Sequence, residues 1–342
     1  MNRKDRYTVA VLGATGAVGR AMLSTLERRN FPVGELRLLA SPKSAGQMLE
    51  FRGQKIAVRA VEESDFEEVD IALFSAGASA SQMYAPLAVT KGCVVVDNSS
   101  AFRMDPQVPL VVPEVNPRAV LDHKGIIANP NCSTIQLVVA LNPLAQFGIE
   151  HVSVTTYQAV SGMGQKGIDA LQRETANFGK GTTLFPVADG EVHYPMAFNV
   201  LPQCDVFLEN GYTKEEMKLV HESRKILGQP KLHVSPTAVR VPVVYGHSEV
   251  VSVRFAERVS AQQVRTRLQE ALGVVVVDDP LHALYPHPKM AEGTGDTYVG
   301  RIRQDLVDNQ TVWMFVVADN LLKGAAWNAV QIAELLVDQA GN

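Results

Sequence analysis

Tyr7-Thr8-Val9-Ala10-Val11-Leu12-Gly13-Ala14-Thr15-Gly16-Ala17-Val18-Gly19 is the stretch whose reading decides the fold. Residues 7–12 form a short apolar run rich in strand formers, and Ala21-Met22-Leu23-Ser24-Thr25-Leu26 beyond the glycines reads as a helix. Strand, G-x-x-G-x-x-G turn and helix together are a variant of the dinucleotide fingerprint. The glycines permit a tight turn and close approach of a pyrophosphate, and the helix N–H groups face that anion. Gly13, Thr15, Gly16, Ala17, Val18 and Gly19 are therefore candidate cofactor contacts. A merely structural turn is the competing reading.

Outward from this unit, Leu36-Arg37-Leu38-Leu39-Ala40 reads as the second strand. It does not end in the acid that would bond a ribose 2′-hydroxyl. It runs into Ser41-Pro42-Lys43-Ser44, where two hydroxyls and a cation suit a 2′-phosphate, so Ser41, Lys43 and Ser44 point to NADP. An ordinary polar loop is the alternative. Val69–Phe74 and Cys93–Asp97 continue the strand–helix alternation, which predicts a parallel sheet covered on both faces. Ser75-Ala76-Gly77 and Asn98-Ser99-Ser100 follow strand ends, where such sheets place ligands. Arg103 lies on the next loop, and a single loop arginine is ordinarily just solvated.

The chain has 342 residues and a net charge of −4, which gives no basic footprint and excludes nucleic acid as an expected partner. Its three cysteines, Cys93, Cys132 and Cys204, are too few and too scattered for a disulfide framework or a zinc site, so no metal is expected. Basic residues before Thr8 and the apolar run after it superficially resemble a secretion signal, but regularly spaced glycines interrupt that run. No apolar stretch approaches about 18 residues, so no membrane span is expected. The expected home is the cytoplasm.

From Val152 the pattern changes. Val152–Val160 and Glu249–Phe255 alternate apolar and polar residues, as in an antiparallel or mixed sheet with one buried face. Ser161-Gly162-Met163-Gly164 is a glycine-rich turn before a helix, a possible second anion contact. Thr213 and Glu216 read as a capping box, and Glu215 with Lys218 as a surface ion pair of little consequence. Val241–Val244 is apolar and expected to be buried, so that Arg240 and His247 flank a core segment and face one cleft. A partly buried arginine suits carboxylate binding, and a histidine can move protons near neutral pH. Thr311–Ala318 reads as a strand, and Asp319-Asn320 leads into a helix from Leu321 to Val337 expected to pack on the first domain.

Asn129-Pro130-Asn131-Cys132-Ser133-Thr134 lies between the halves, followed by the apolar run Ile135–Leu141. That places Cys132 at or just before a helix N-terminus, where free N–H groups and the dipole stabilise a thiolate. Ser133 or Thr134 is the expected cap. A buried, inert thiol is the other reading.

Taken together these segments resemble the aspartate-β-semialdehyde dehydrogenase family over nearly the whole chain. The carriers are the Gly13–Gly19 loop, Asn98–Arg103, Asn129–Thr134, Tyr157–Gly162, the Glu215/Lys218 helix, Arg240–His247 and Asp319-Asn320. The resemblance implies an α/β fold, with a Rossmann-like NADP-binding domain over residues 1–130 completed by a helix at 321–342. An α+β catalytic and dimerisation domain with a mixed sheet is implied over residues 131–320. It implies Cys132 as nucleophile, His247 as acid and base, and Gln158 orienting the reacting group. Arg240 and Glu215 would hold the substrate's carboxylate and ammonium. Arg103, Asn131 and Lys218 would hold phosphate, and Ser161, Gly162 and Asn320 would join the cofactor site. It further implies a homodimer. The alternatives are an N-acetyl-γ-glutamyl-phosphate reductase and a non-catalytic NADP-sensing module.

Overall fold

The structure, a computed structural model, describes residues 3–178 and 184–339. The chain divides into two compact units, one running to Asn131 and resuming at Ala325, the other spanning Cys132–Gly324. Boundaries expected at 130/131 and 320/321 stand at 131/132 and 324/325.

The first unit is a seven-stranded sheet: β1 Tyr7–Leu12, β2 Val33–Ala40, β3 Met48–Phe51, β4 Gln54–Ala60, β5 Ile71–Phe74, β6 Val94–Asp97 and β7 Ile126–Ala128. Their order is β3-β4-β2-β1-β5-β6-β7, parallel except for the β3–β4 hairpin. Every residue of β5 and β6 is buried, which is why these strands are unbroken apolar runs rather than alternating ones. Helices α1 Ala17–Arg28 and α2 Ala78–Thr90 connect strands. Met22 and Leu26 of α1 share one core with Val9, Val11 and Leu73, while Ala85 and Ala88 of α2 share another with Ala10 and Phe74. The C-terminal helix Trp327–Gln339 adds Ala329, Val330 and Ala333 to the α1 side, and Arg29 grips Glu334 through two hydrogen bonds of 2.7 and 2.6 Å. The chain reverses strand order between β1 and β5, which puts the switch point of the sheet at the Gly13 loop.

The second unit holds β8 Ile149–Gln158, β9 His233–Arg240, β10 His247–Phe255, β11 Val274–Val276, β12 Thr297–Gln304 and β13 Thr311–Ala318, in the order β11-β12-β13-β10-β8-β9. The sheet is mixed, with β8–β9 and β11–β12 parallel and the remaining pairs antiparallel. Its helices are α3 Cys132–Leu141, α4 Gln165–Ala176, α5 Lys214–Ile226, α6 Ala261–Gln269 and the single turn α7 Pro288–Ala291. One sheet face, with Val152, Val154, Val251, Val253, Met314 and Val316, packs on Leu137 and Leu141 of α3 and Leu219 of α5. The opposite face carries His151, Ser153, Thr155 and Tyr157 of β8 beside Ser252 and Trp313, all at least partly exposed.

The continuous helix expected from Leu321 is absent. A π-type turn, Leu322–Ala326, comes first, and the C-terminal helix (α8) starts at Trp327. Of the expected span 321–342, residues 340–342 lie outside the described residues. Among the described residues no helix is long and apolar enough to cross a membrane, and no His/Cys/Asp/Glu cluster could hold a metal.

Candidate active site

In the first unit, Gly13 sits at φ +86° where β1 turns into α1. A Cβ on Gly19 would fall 2.2 Å from the Gly13 carbonyl oxygen, so only glycine lets the helix start so close to the loop. Gly16 precedes α1 with no side-chain cap, and the first turn carries no acid, which leaves its N–H groups to an anion. Thr15, Ala17 and Val18 are partly exposed around it. Ser41 begins the short turn Pro42–Ser44 directly after β2, and Lys43 is exposed with no ion pair among the described residues. These residues fit a nicotinamide dinucleotide on the glycine loop, with a phosphate-compatible edge at Ser41, Lys43 and Ser44.

Arg103 is not the solvated loop arginine that its context suggests. It is 8 % exposed, donating from Nε to the carbonyl of Asn129 at 3.0 Å and from Nη2 to that of Asn98 at 2.7 Å. Asn129 in turn donates to the Asn98 side chain at 2.6 Å and accepts from Asn328 at 2.7 Å. Arg103 is thus laced to the loop that ends in Asn131, itself buried.

The second unit opens on Cys132, the first residue of α3. Ser133 and Thr134 therefore lie inside the first turn, and the expectation that one of them caps the helix is corrected; Asn131 holds the preceding position. Cys132 is free and partly exposed, whereas Cys93 and Cys204 are buried and desolvation pushes both thiols up to about 12. The Cys204 thiol lies within electrostatic range of Arg240, Glu215 and Cys132, which puts these residues in one neighbourhood.

His247 opens β10 opposite Ala318 and is fully buried. Its Nδ1 accepts the N–H of Ala159 at 3.0 Å, while the carbonyl of the same residue accepts from Nη1 of Arg240 at 2.9 Å. Ala159 therefore couples the imidazole to the guanidinium. With Nδ1 engaged as an acceptor, neutral His247 carries its proton on Nε2, so the 3.4 Å approach of Gln158 Nε2 is a contact rather than a hydrogen bond. Burial, then Arg240, hold the imidazolium down to about 3, against Glu215, which raises it. The Arg240 Nε is buried without an acceptor, a donor left over for a ligand.

Gln158 ends β8 and donates to Oε1 of Glu215 at 3.0 Å, which fixes which way its amide points. Glu215 Oε2 accepts from Lys218 at 2.8 Å, and Lys218 also meets Asp205 at 3.1 Å. The reading of Glu215/Lys218 as an inconsequential surface pair is corrected: Glu215 is 7 % exposed, and its charge and that of Asp205 hold the Lys218 ammonium above its ordinary range against the opposing desolvation. Thr213 does cap α5, accepting from the Glu216 N–H at 3.2 Å. Ser161 exchanges hydrogen bonds with Asn320 at 2.9–3.1 Å, and Gly162 lies against Arg240 and His247.

Val241–Val244, expected to be core, is a half-exposed loop. Arg240 and His247 are buried because they close the edge strand β9 and open the central strand β10, not because the segment between them is buried. Asp205 was missed by sequence reasoning; it lies outside any periodic segment and reaches Lys218 only through the fold.

Two family models cover the chain: the semialdehyde dehydrogenase NAD-binding domain over residues 8–123 and the semialdehyde dehydrogenase dimerisation domain over residues 141–323. An aspartate-semialdehyde dehydrogenase of Aquifex aeolicus is 54% identical over 337 residues, 97% of this chain and 98% of that one. The crystal structure of aspartate semialdehyde dehydrogenase II from Vibrio cholerae, complexed with ASA, is similar at a TM-score of 0.92 with 48% identity, covering 98% of this chain and 99% of that one. The Candida albicans enzyme solved with NADP gives a TM-score of 0.72 at 28% identity, covering 97% and 98%.

Proposed function

The chain belongs to the aspartate-semialdehyde dehydrogenase family, and from that premise we propose that Cys132, His247, Gln158, Arg240 and Glu215 form its active site. The reaction is the reversible reductive dephosphorylation of β-aspartyl phosphate to aspartate β-semialdehyde, on the route to lysine, methionine and threonine. The observation that carries the site is the Ala159 backbone, whose N–H and carbonyl join a buried imidazole to a buried arginine with an unspent donor, in the unit that begins at Cys132.

The Cys132 thiolate, favoured at the start of α3, attacks the acyl phosphate carbon. The C–S bond forms, the C–O bond to phosphate breaks, and phosphate leaves. The N–H groups of the first turn of α3 stabilise the oxyanion of the tetrahedral intermediate. Gly13, Thr15, Gly16, Ala17, Val18 and Gly19 would hold the dinucleotide, with Ser161, Gly162 and Asn320, and the bound nicotinamide supplies the hydride that takes the thioester to the aldehyde level. We favour NADP, because Ser41, Lys43 and Ser44 follow β2 where an acid would select NAD.

His247 works through Nε2, since Nδ1 is held by Ala159. There it gives a proton to the hemithioacetal oxygen and takes it back as the C–S bond breaks, which releases the aldehyde and the Cys132 thiolate; the anionic substrate offsets Arg240 and raises the imidazole from its ligand-free value. Arg240 grips the α-carboxylate with its remaining donors. Glu215 attracts the α-ammonium while holding Gln158 on the reacting end. Arg103, Asn131 and Lys218 receive the phosphate. A second copy of the chain covers the partly exposed β8/β10/β13 face that carries Ser153, Thr155, Tyr157, Ser252 and Trp313, giving a homodimer that sedimentation velocity would detect.

Nicotinamide absorbance with aspartate semialdehyde, phosphate and NADP tests the whole reading. Cys132→Ala should bind NADP yet show no turnover, because the other two thiols, Cys93 and Cys204, are buried. Substantial turnover in that variant would reject the covalent route, and preference for N-acetylglutamate semialdehyde would reject the substrate.

A further inference from the structure

Beyond β13 the chain makes a turn from Asp319 to Gly324 that lies between two parts of the site. The Gly324 N–H reaches back to the Asp319 carbonyl at 3.0 Å, an i to i−5 bond that opens the π-type turn Leu322–Ala326. The Asp319 carboxylate fastens this turn: Oδ1 accepts the N–H groups of Leu321 and Leu322 at 2.9 and 3.1 Å, and Oδ2 accepts that of Gly293 at 2.8 Å. At one end, Asn320 Oδ1 accepts the N–H of Gly246 at 3.0 Å, the residue immediately before His247. At the other end, a Cβ built on Gly324 would stand 2.8 Å from the Cβ of Cys132 and 3.2 Å from its Cα. Gly324 is not in the left-handed region, so glycine is required there for room and not for backbone conformation.

We infer that the Asp319–Gly324 turn sets the spacing between Cys132 and His247, with Gly324 the positioning residue for the nucleophile. The inference rests on the reading of Cys132 as nucleophile. A wide π-type turn carries the Gly324 backbone against Cys132 without a side chain between them, and Asp319 and Asn320 anchor the same turn to Gly293 and to the approach to His247. Any side chain at position 324 must push the turn and the first residue of α3 apart, because its nearest obstacle is the Cys132 Cβ and not a flexible tip. Displacement moves the sulfur relative to the helix N–H groups that favour its thiolate, and relative to His247. Positional errors near 1 Å cost about 100-fold in rate.

The test is Gly324→Ala in the full chain, read first without cofactor or substrate. The pH dependence of Cys132 alkylation by iodoacetamide, followed by mass of the Cys132 peptide, should shift upward by roughly half a unit or more as the thiolate loses its helix contacts. Turnover should fall about 10–100-fold, with KM and NADP binding within about threefold. A folded variant with the native alkylation profile and native turnover overturns the inference. If Gly324→Ala does not fold, Gly324→Ala with Cys132→Gly removes the opposing Cβ. Recovery of a folded protein in that pair supports direct contact as the constraint, and failure of the pair overturns it. Failure of the nucleophile reading is separate, since it would appear as turnover in Cys132→Ala.

Discussion

His247→Gln separates the chemistry of the imidazole from its energetic cost. The ring has no exposed surface, and burial with Arg240 brings its pKa from the ordinary 6.5 to about 3 despite Glu215. In the unfolded chain the same ring titrates near 6.5. Between these values the unfolded chain holds a proton that the native chain does not, so stability falls as pH drops below about 6.5 and the loss is complete near the folded value. Each pH unit in that window costs the native state roughly 1.4 kcal/mol. Glutamine does not titrate, so the variant escapes this loss. Its unfolding free energy relative to the parent should rise by roughly 2–3 kcal/mol between about pH 6.5 and about pH 4.5. Urea unfolding of both proteins at the two pH values measures the difference directly, since all other groups are shared. Curves that stay parallel would show that His247 protonates normally in the native state, and the argument for a neutral ring protonated on Nε2 would fail with it. The same variant should lose about 10²–10⁴-fold in turnover at neutral pH. A raised KM with unchanged turnover would make His247 a binding residue.

Arg240→Lys keeps the charge but loses the planar fork, including the bond to the Ala159 carbonyl. At about 1.5–3 kcal/mol for a charge-assisted bond, kcat/KM should drop roughly 10–100-fold with little change in Tm, and a change below about threefold in steady-state kinetics would reject the clamp. Ser41→Asp should erode the preference for NADP over NAD by about tenfold or more through repulsion of the 2′-phosphate; equal use of both cofactors by the parent would reject the loop assignment. Glu249 is fully buried on β10, with Gln136 of α3 the polar side chain beside it, and burial raises its pKa well above 4.5. The unfolded chain ionises first as pH rises, so the native state is progressively penalised above about pH 4.3. Glu249→Gln should therefore gain stability relative to the parent from acid to alkaline pH, and a pH-independent difference by chemical denaturation would show that Glu249 ionises normally in place.

The sequence by itself determined the elements whose signals are local. Tyr7–Leu12 and Thr311–Ala318 are strands over the stretches their apolar runs mark, because burial on a sheet writes itself into consecutive residues. Thr213 and Glu216 are legible as a cap because both partners sit within one turn. The glycine spacing of residues 13–19 similarly encodes a backbone approach that only nearby residues constrain. What the tertiary structure decided are relations across long separations. Arg103 is buried because Asn98 and Asn129, the latter 26 residues away, bring carbonyls to it. Lys218 is half-buried and held in place because Asp205 and Glu215 converge on it. Val241–Val244 is half-exposed although apolar, since the strand ends and not the loop carry Arg240 and His247 into the core. Gly324 needs to be glycine because of Cys132, 192 positions earlier, and the separate strand and helix signals beside it give no hint of that contact. A pattern of residue types records how each segment faces its own surroundings. Which two segments meet, and at what distance, depends on the packing of all of them, and the chemistry of this site is held at those meetings.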